Sequence, residues 1–190
     1  MITLEPDRIV DQADVIQQAC WAAEAGQDAT ARELLRAHYP FQPIPKVKRT
    51  YSLRQSIAIF ERDGFIDRYQ GTRLVYPGAL YLLSALLPED FPSHRNGRMD
   101  RTHLAFWELF PTIDHVVPVA CGGADDESNW VCTSMRSNQI KAHWRLEDLG
   151  WSLYPPGDPA QWDGLLSWFR QVIGKHQPLV EQHSLLRRWT

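Results

Sequence analysis

Ile9, Ala13, Ile16, Cys20 and Ala23 step by four, three, four and three, the spacing of one face of a helix, and they predict its buried stripe. Gly26 and Gln27 end that helix. A second helix follows, with Asp28 or Thr30 as N-cap and with Thr30 and Glu33 at capping-box spacing. The two predict an N-terminal helical hairpin over residues 1–45, closed by "HYPFQPIPK", where Pro40, Pro43 and Pro45 call for an extended linker.

Residues 46–190 read as a second, mostly helical domain. The pattern predicts a helix through "SLRQSIAIFERDG", a hairpin-like "FIDRYQGTRLVYP", a helix in "GALYLLSALLP" and a loop over 88–99. Residues 100–110 are apolar at helical spacing up to Pro111. Two short strands, 113–119 and 129–133, then bracket "ACGGADDES", and a helix covers about 134–144. Beyond the loop "PPGDP", helices are expected near 159–175 and 179–188, with Trp144, Trp151, Trp162 and Trp168 as packing anchors. The fold class expected is α+β, a strand–strand–helix finger embedded in helices.

Composition narrows the class. With 190 residues and 44% apolar content the chain can bury a core. No apolar run is long enough to span a bilayer, and no basic start with an apolar segment marks a signal peptide, so a cytoplasmic protein with no membrane partner is expected. Cys20, Cys121 and Cys132 lack C-x-x-C spacing, which argues for reduced thiols and against a cysteine zinc site. The net charge of −3 is uneven: residues 46–101 carry 10 Lys/Arg against 6 Asp/Glu, while both flanks are acidic. That middle segment is the candidate phosphate-facing surface.

The chemistry-bearing stretch is 113–143. Asp114 and His115 lie on the first strand, Asn129 begins the second, and Asn138 and Lys141 sit on the helix. "DHVVP", "GG", "NWV" and "SNQIKAH" fit D-H-[IV]-x-P…G-G…N-[LW]-V…N-x-x-K, and in this the chain resembles the HNH endonucleases with their ββα-metal finger. The resemblance implies a metal-dependent endonuclease acting on DNA and leaving 3′ hydroxyl and 5′ phosphate ends, with restriction or phage defence a natural setting. The alternative is a DNA-binding or scaffold module that keeps the fold without turnover. The N-terminal helices are a candidate protein-interaction surface.

The residue types suit that chemistry. Phosphodiester hydrolysis needs an activated water and positive charge at the phosphate. A hard divalent ion, Mg²⁺ or Mn²⁺ in its place, takes few protein oxygens and keeps its waters. Asp114 offers an anionic oxygen and Asn138 an amide oxygen, and the His115 imidazole is the candidate proton acceptor. As consecutive strand residues, Asp114 and His115 are expected to point to opposite sides. The resemblance gives Asn129 the role of tying the connecting loop to the first strand and holding the histidine in position; taken alone, Asn129 also reads as a turn-forming residue. Arg136, Lys141 and His143 are candidate phosphate contacts; Lys141 also reads as an ordinary solvated lysine, and His143 as a packed side chain. Asn138 and His143 are five residues apart, about 140° around a helix, so they do not share one ion.

Many HNH proteins add a zinc knuckle, in "RDGF-x-C-x-Y-C-G" and "C-x-x-C-N". Here "RDGFIDRYQG" has Asp67 and Gln70 at the cysteine positions, and "SMRSN" has Ser134 and Ser137. These are poor zinc ligands, so no structural zinc is expected. Phe65, Tyr69, Leu74 and Val75 are expected to pack in its place.

Overall fold

In the computed structural model, residues 11–41 and 51–190 are described. The chain divides into two compact units, residues 1–46 and 47–190.

In the first unit, Asp11 is extended and its side chain accepts from Ala13 N at 2.9 Å, which opens α1 (Gln12–Glu24). The face that packs carries Val15 and Ala19, with Gln18 and Ala22 half-buried. Ala13, Ile16, Cys20 and Ala23, the stripe expected from spacing, face outward, and Ile9 lies outside the described residues. Two adjacent apolar stripes run along this helix, and periodicity alone does not choose between them. The small side chains of Ala19, Ala22 and, on α2 (Asp28–His38), Ala31 permit the closer approach. Neither Asp28 nor Thr30 caps α2, which follows Gln27 with no side-chain cap. Asp28 instead sits in the first turn, where its charge suits the helix dipole, and meets Arg32 at 3.4 Å. Most of the proline-rich linker lies outside the described residues.

The second unit is helix-rich, with one two-stranded antiparallel sheet, an α+β arrangement. Ser52 and Gln55 form a reciprocal capping box that starts α3 (Leu53–Arg62), and Ile59 and Phe60 are buried. The hairpin-like stretch forms a tight knuckle rather than a regular hairpin, with one bridge between Ile66 and Arg73. Asp67 N donates to Thr72 O, and Gly71 N to Asp67 O at 2.7 Å. Then comes α4 (Pro77–Leu86). The helix expected over 100–110 shrinks to a 3₁₀ turn at Met99–Arg101 and a single turn, α5 (Ala105–Glu108). His103 Nδ1 accepts from Ala105 N at 3.2 Å and restarts the chain there.

β1 (Pro111–His115) pairs with β2 (Trp130–Ser134) in the register Pro111↔Ser134 through His115↔Trp130. β1 begins two residues before the expected start and stops at His115, because Pro118 leads into a 3₁₀ turn at Val119–Cys121. Ser134 caps α6 (Met135–Lys141) by accepting from Ser137 N at 2.9 Å. α6 ends at Lys141, short of residue 144, where Ala142 turns to φ 47°. The expected 159–175 helix begins only at α7 (Leu166–Val172), followed by a 3₁₀ turn, and the last segment divides into α8 (Gln177–Gln182) and α9 (Ser184–Arg187).

The core gathers Phe60, Phe65, Leu74, Leu82, Phe169 and Leu186 against Ile113 and Cys132 of the sheet. Trp144 and Trp168 are not core anchors: each is about half exposed, whereas Trp130 and Trp189 are buried. Trp162 donates its indole N–H to Leu74 O at 2.8 Å, and Trp151 packs on Tyr69.

Candidate active site

Two buried carboxylates brace the sheet from below. Asp63, capping α3, accepts from Cys132 N at 2.7 Å and is flanked by Arg62 and Arg68. Asp67 accepts from Thr133 Oγ1 at 2.9 Å and from Ser134 N at 3.1 Å, so it links the knuckle to β2 and the start of α6. Asp67 and Ser134 stand at two of the four positions that correspond to the knuckle cysteines. With Gln70 and Ser137 they line one cavity of about 550 Å³. Phe65, Tyr69 and Leu74 are buried, and Val75 packs on the core.

On this support Asp114 and His115 end β1, and their side chains have no partner in common. Asp114 is 7% exposed. Its Oδ2 accepts from Tyr69 Oη at 2.7 Å and pairs with Lys141 Nζ at 2.9 Å. Burial, reinforced by the Asp114 charge, pushes the Tyr69 phenol well above its ordinary range, so it stays a donor. No donor among the described residues meets the other carboxylate oxygen, Oδ1.

Asn138, on α6, donates from Nδ2 to Thr112 Oγ1 at 3.0 Å and to Ile113 O at 3.2 Å. A backbone carbonyl only accepts, so the amide nitrogen must face the strand and Oδ1 turns elsewhere. No donor among the described residues meets it. The helix amide is therefore fastened to the strand at the residue before Asp114. Lys141, read from the sequence as a phosphate contact or a solvated lysine, is neither: it is wholly buried, and its ammonium also donates to His115 O at 2.7 Å. Arg136 is exposed and pairs with Glu108 at 3.0 Å. His143 is exposed and stacks on Trp144, so it is not a packed, satisfied side chain.

His115 is 3% exposed. Its Nε2 lies 2.7 Å from Asp125 Oδ1 and 3.0 Å from Trp130 Nε1. Asn129 Oδ1 accepts from Val117 N at 2.9 Å, and its Nδ2 donates to Val117 O and Ala124 O, both at 2.8 Å. It thus fastens the strand connection to the end of β1.

Among the described residues no three His, Cys, Asp or Glu side chains cluster as a metal site. Asp114 Oδ1 and Asn138 Oδ1 are a carboxylate oxygen and an amide oxygen that no donor among the described residues meets. Oxygens of this kind suit an ion that keeps most of its waters rather than one needing a full protein cage. No helix among the described residues is long and apolar enough to cross a membrane. Compared with family models, curated proteins and solved structures, the chain matches none.

Sequence reasoning missed Tyr69, Lys141 in its buried role, Asp125 and Trp130 as partners of the Asp114–His115 pair. Asp125 had a signal. The connection after His115 returns at Trp130, its register partner, so the acidic residues of "GGADDES" lie in the segment that closes over the histidine.

Proposed function

We propose that this chain is a metal-dependent HNH-type endonuclease that hydrolyses DNA phosphodiester bonds. One observation carries the reading. Asn138 Nδ2 is bonded to Ile113 O, which fastens the helix amide to the strand at the residue before Asp114, and no donor among the described residues meets Asn138 Oδ1. Asp114 Oδ1 and Asn138 Oδ1 would hold one divalent ion, Mg²⁺ in the first instance. When bound, that ion supplies positive charge to the phosphate and to the departing oxygen.

The chain's own residues do the rest. His115 accepts a proton from water as the water oxygen bonds to phosphorus, and the bond from phosphorus to the 3′ oxygen breaks. That oxygen takes its proton from solvent. Asn129 holds the connection that covers His115. Lys141 and Tyr69 fix the Asp114 carboxylate through Oδ2, and their donors offset its negative charge.

A second reading has its own observation. His115 is nearly enclosed, with Nε2 occupied by Asp125, and Asp114 already pairs with an internal ammonium. A module that retains the fold to bind DNA without turnover would carry the same contacts. Plasmid incubated with Mg²⁺ or Mn²⁺ separates the two. The nuclease nicks it, EDTA stops the reaction, and His115→Ala lowers the rate by about 10²–10⁴-fold. Retention of DNA without cleavage by either protein selects the binding module.

A further inference from the structure

Nε2 of His115, Oδ1 of Asp125 and Nε1 of Trp130 meet at one point. The histidine nitrogen is 2.7 Å from the carboxylate oxygen, and the indole nitrogen is 3.3 Å from the same oxygen and 3.0 Å from Nε2. Two proton arrangements can be written. If Nε2 were bare and accepted from the indole, its lone pair would face a carboxylate oxygen at 2.7 Å, which is repulsive while Asp125 is ionised. If Nε2 carries the proton, both N–H groups converge on Asp125 Oδ1, and each is satisfied. Only the second arrangement is attractive, and a carboxylate accepts two such donors readily.

The carboxylate is held in place by its loop. Gly122 adopts φ 87°, in the left-handed region, and Gly123 N donates to Pro118 O at 3.1 Å. A Cβ at Gly123 would run into Val117 O and Asn129 Nδ2, so the loop closes tightly only with glycine there. Asn129 Nδ2 then grips Ala124 O, the residue before Asp125. Arg62 donates to Glu127 O at 2.9 Å and to Trp130 O, which fixes the far side of the same loop. A path of contacts therefore runs from Asn129 through Ala124 to Asp125 and on to His115.

We propose that Asp125 is a positioning residue for His115. It holds the ring proton on Nε2 and leaves the lone pair of the neutral ring on Nδ1, the nitrogen that receives the proton from water. The tautomer is set by the partner on the opposite nitrogen, as elsewhere for histidine bases. The catalytic consequence rests on the proposed nuclease activity; the location of the proton does not.

Removal of the carboxylate has a specific effect here because Trp130 remains. With Asp125→Ala, the indole N–H at 3.0 Å finds Nε2 as its acceptor and drives the ring proton to Nδ1, the unreactive tautomer. Asp125→Asn keeps an oxygen for the two donors and retains the original tautomer. The experiment is ¹⁵N NMR of the full chain with labelled histidine, read beside steady-state nicking of plasmid with Mg²⁺. Expected is a protonated Nε2 in the wild type and in Asp125→Asn. In Asp125→Ala the proton moves to Nδ1, and kcat falls about a hundredfold with KM unchanged. A ring that keeps its Nε2 proton in Asp125→Ala, or a variant that nicks faster than the wild type, overturns the assignment; the latter makes Asp125 a cover. Should the wild type nick nothing with any divalent ion, the nuclease reading falls, while the ring shifts still decide the role of Asp125.

Discussion

Lys141 and Asp114 form an ion pair of 2.9 Å in which the lysine side chain is wholly buried. The ammonium donates also to His115 O at 2.7 Å, and the carboxylate receives Tyr69 as a second donor. A buried pair of this kind contributes little net stability against apolar substitutes, but loss of one member leaves a charge without compensation. Lys141→Met is expected to destabilise the protein by about 3–5 kcal/mol. Lys141→Met with Asp114→Asn should recover part of that, because the orphaned charge is gone. Urea unfolding followed by circular dichroism measures both; a loss below about 1 kcal/mol in the single variant would mean that the pair is solvated.

The cavity beside the knuckle offers a test that is independent of activity. Asp67, Gln70, Ser134 and Ser137 all line it, and in many members of the family resembled these positions carry zinc-binding cysteines. A variant with cysteine at all four is expected to take up one metal per chain, with the visible absorption of tetrahedral thiolate-bound Co²⁺. An intact fold with no metal uptake would show that the four positions do not converge, and would remove the support they give to the resemblance.

Alkaline pH addresses the phenols of Tyr69 and Tyr76, which are buried, and Tyr81, which is half-buried. Tyr69, Tyr76 and Tyr81 are all held above the ordinary phenol range, chiefly by burial. Their native state keeps protons that the unfolded chain begins to release at about pH 10. Their contribution to stability is therefore complete below that pH and is lost as pH rises above it. Absorbance of tyrosinate should show these three ionising together with the loss of near-ultraviolet circular dichroism. Smooth ionisation with the fold intact would contradict their burial.

Local signals made much of this legible. The order strand, strand, helix was legible from the apolar runs and the Gly-Gly turn, as were the positions of Asp114, His115, Asn129 and Asn138 along it. The caps Asp11, Ser52 and Ser134 were not read, and the strand was carried through Pro118, which in fact ends it. The α1 stripe was not legible, because two apolar faces compete and only packing against Ala31 chooses. The helix over 100–110 failed where the His103 cap interrupts a continuous apolar pattern. The partners of the site were the least legible. Tyr69 reaches Asp114 across 45 residues, and Lys141 acts from a fully buried position that its charge argues against.

In the proposed nuclease, Asp114 Oδ1 and Asn138 Oδ1 together hold a divalent cation beside His115. Mn²⁺ can be located by anomalous diffraction from crystals grown with a short DNA duplex. One manganese contacting both oxygens and a phosphate is expected, absent from the Asp114→Ala variant. Manganese bound elsewhere, or none at this place while Asp114 stays paired with Lys141 and Tyr69, would contradict it.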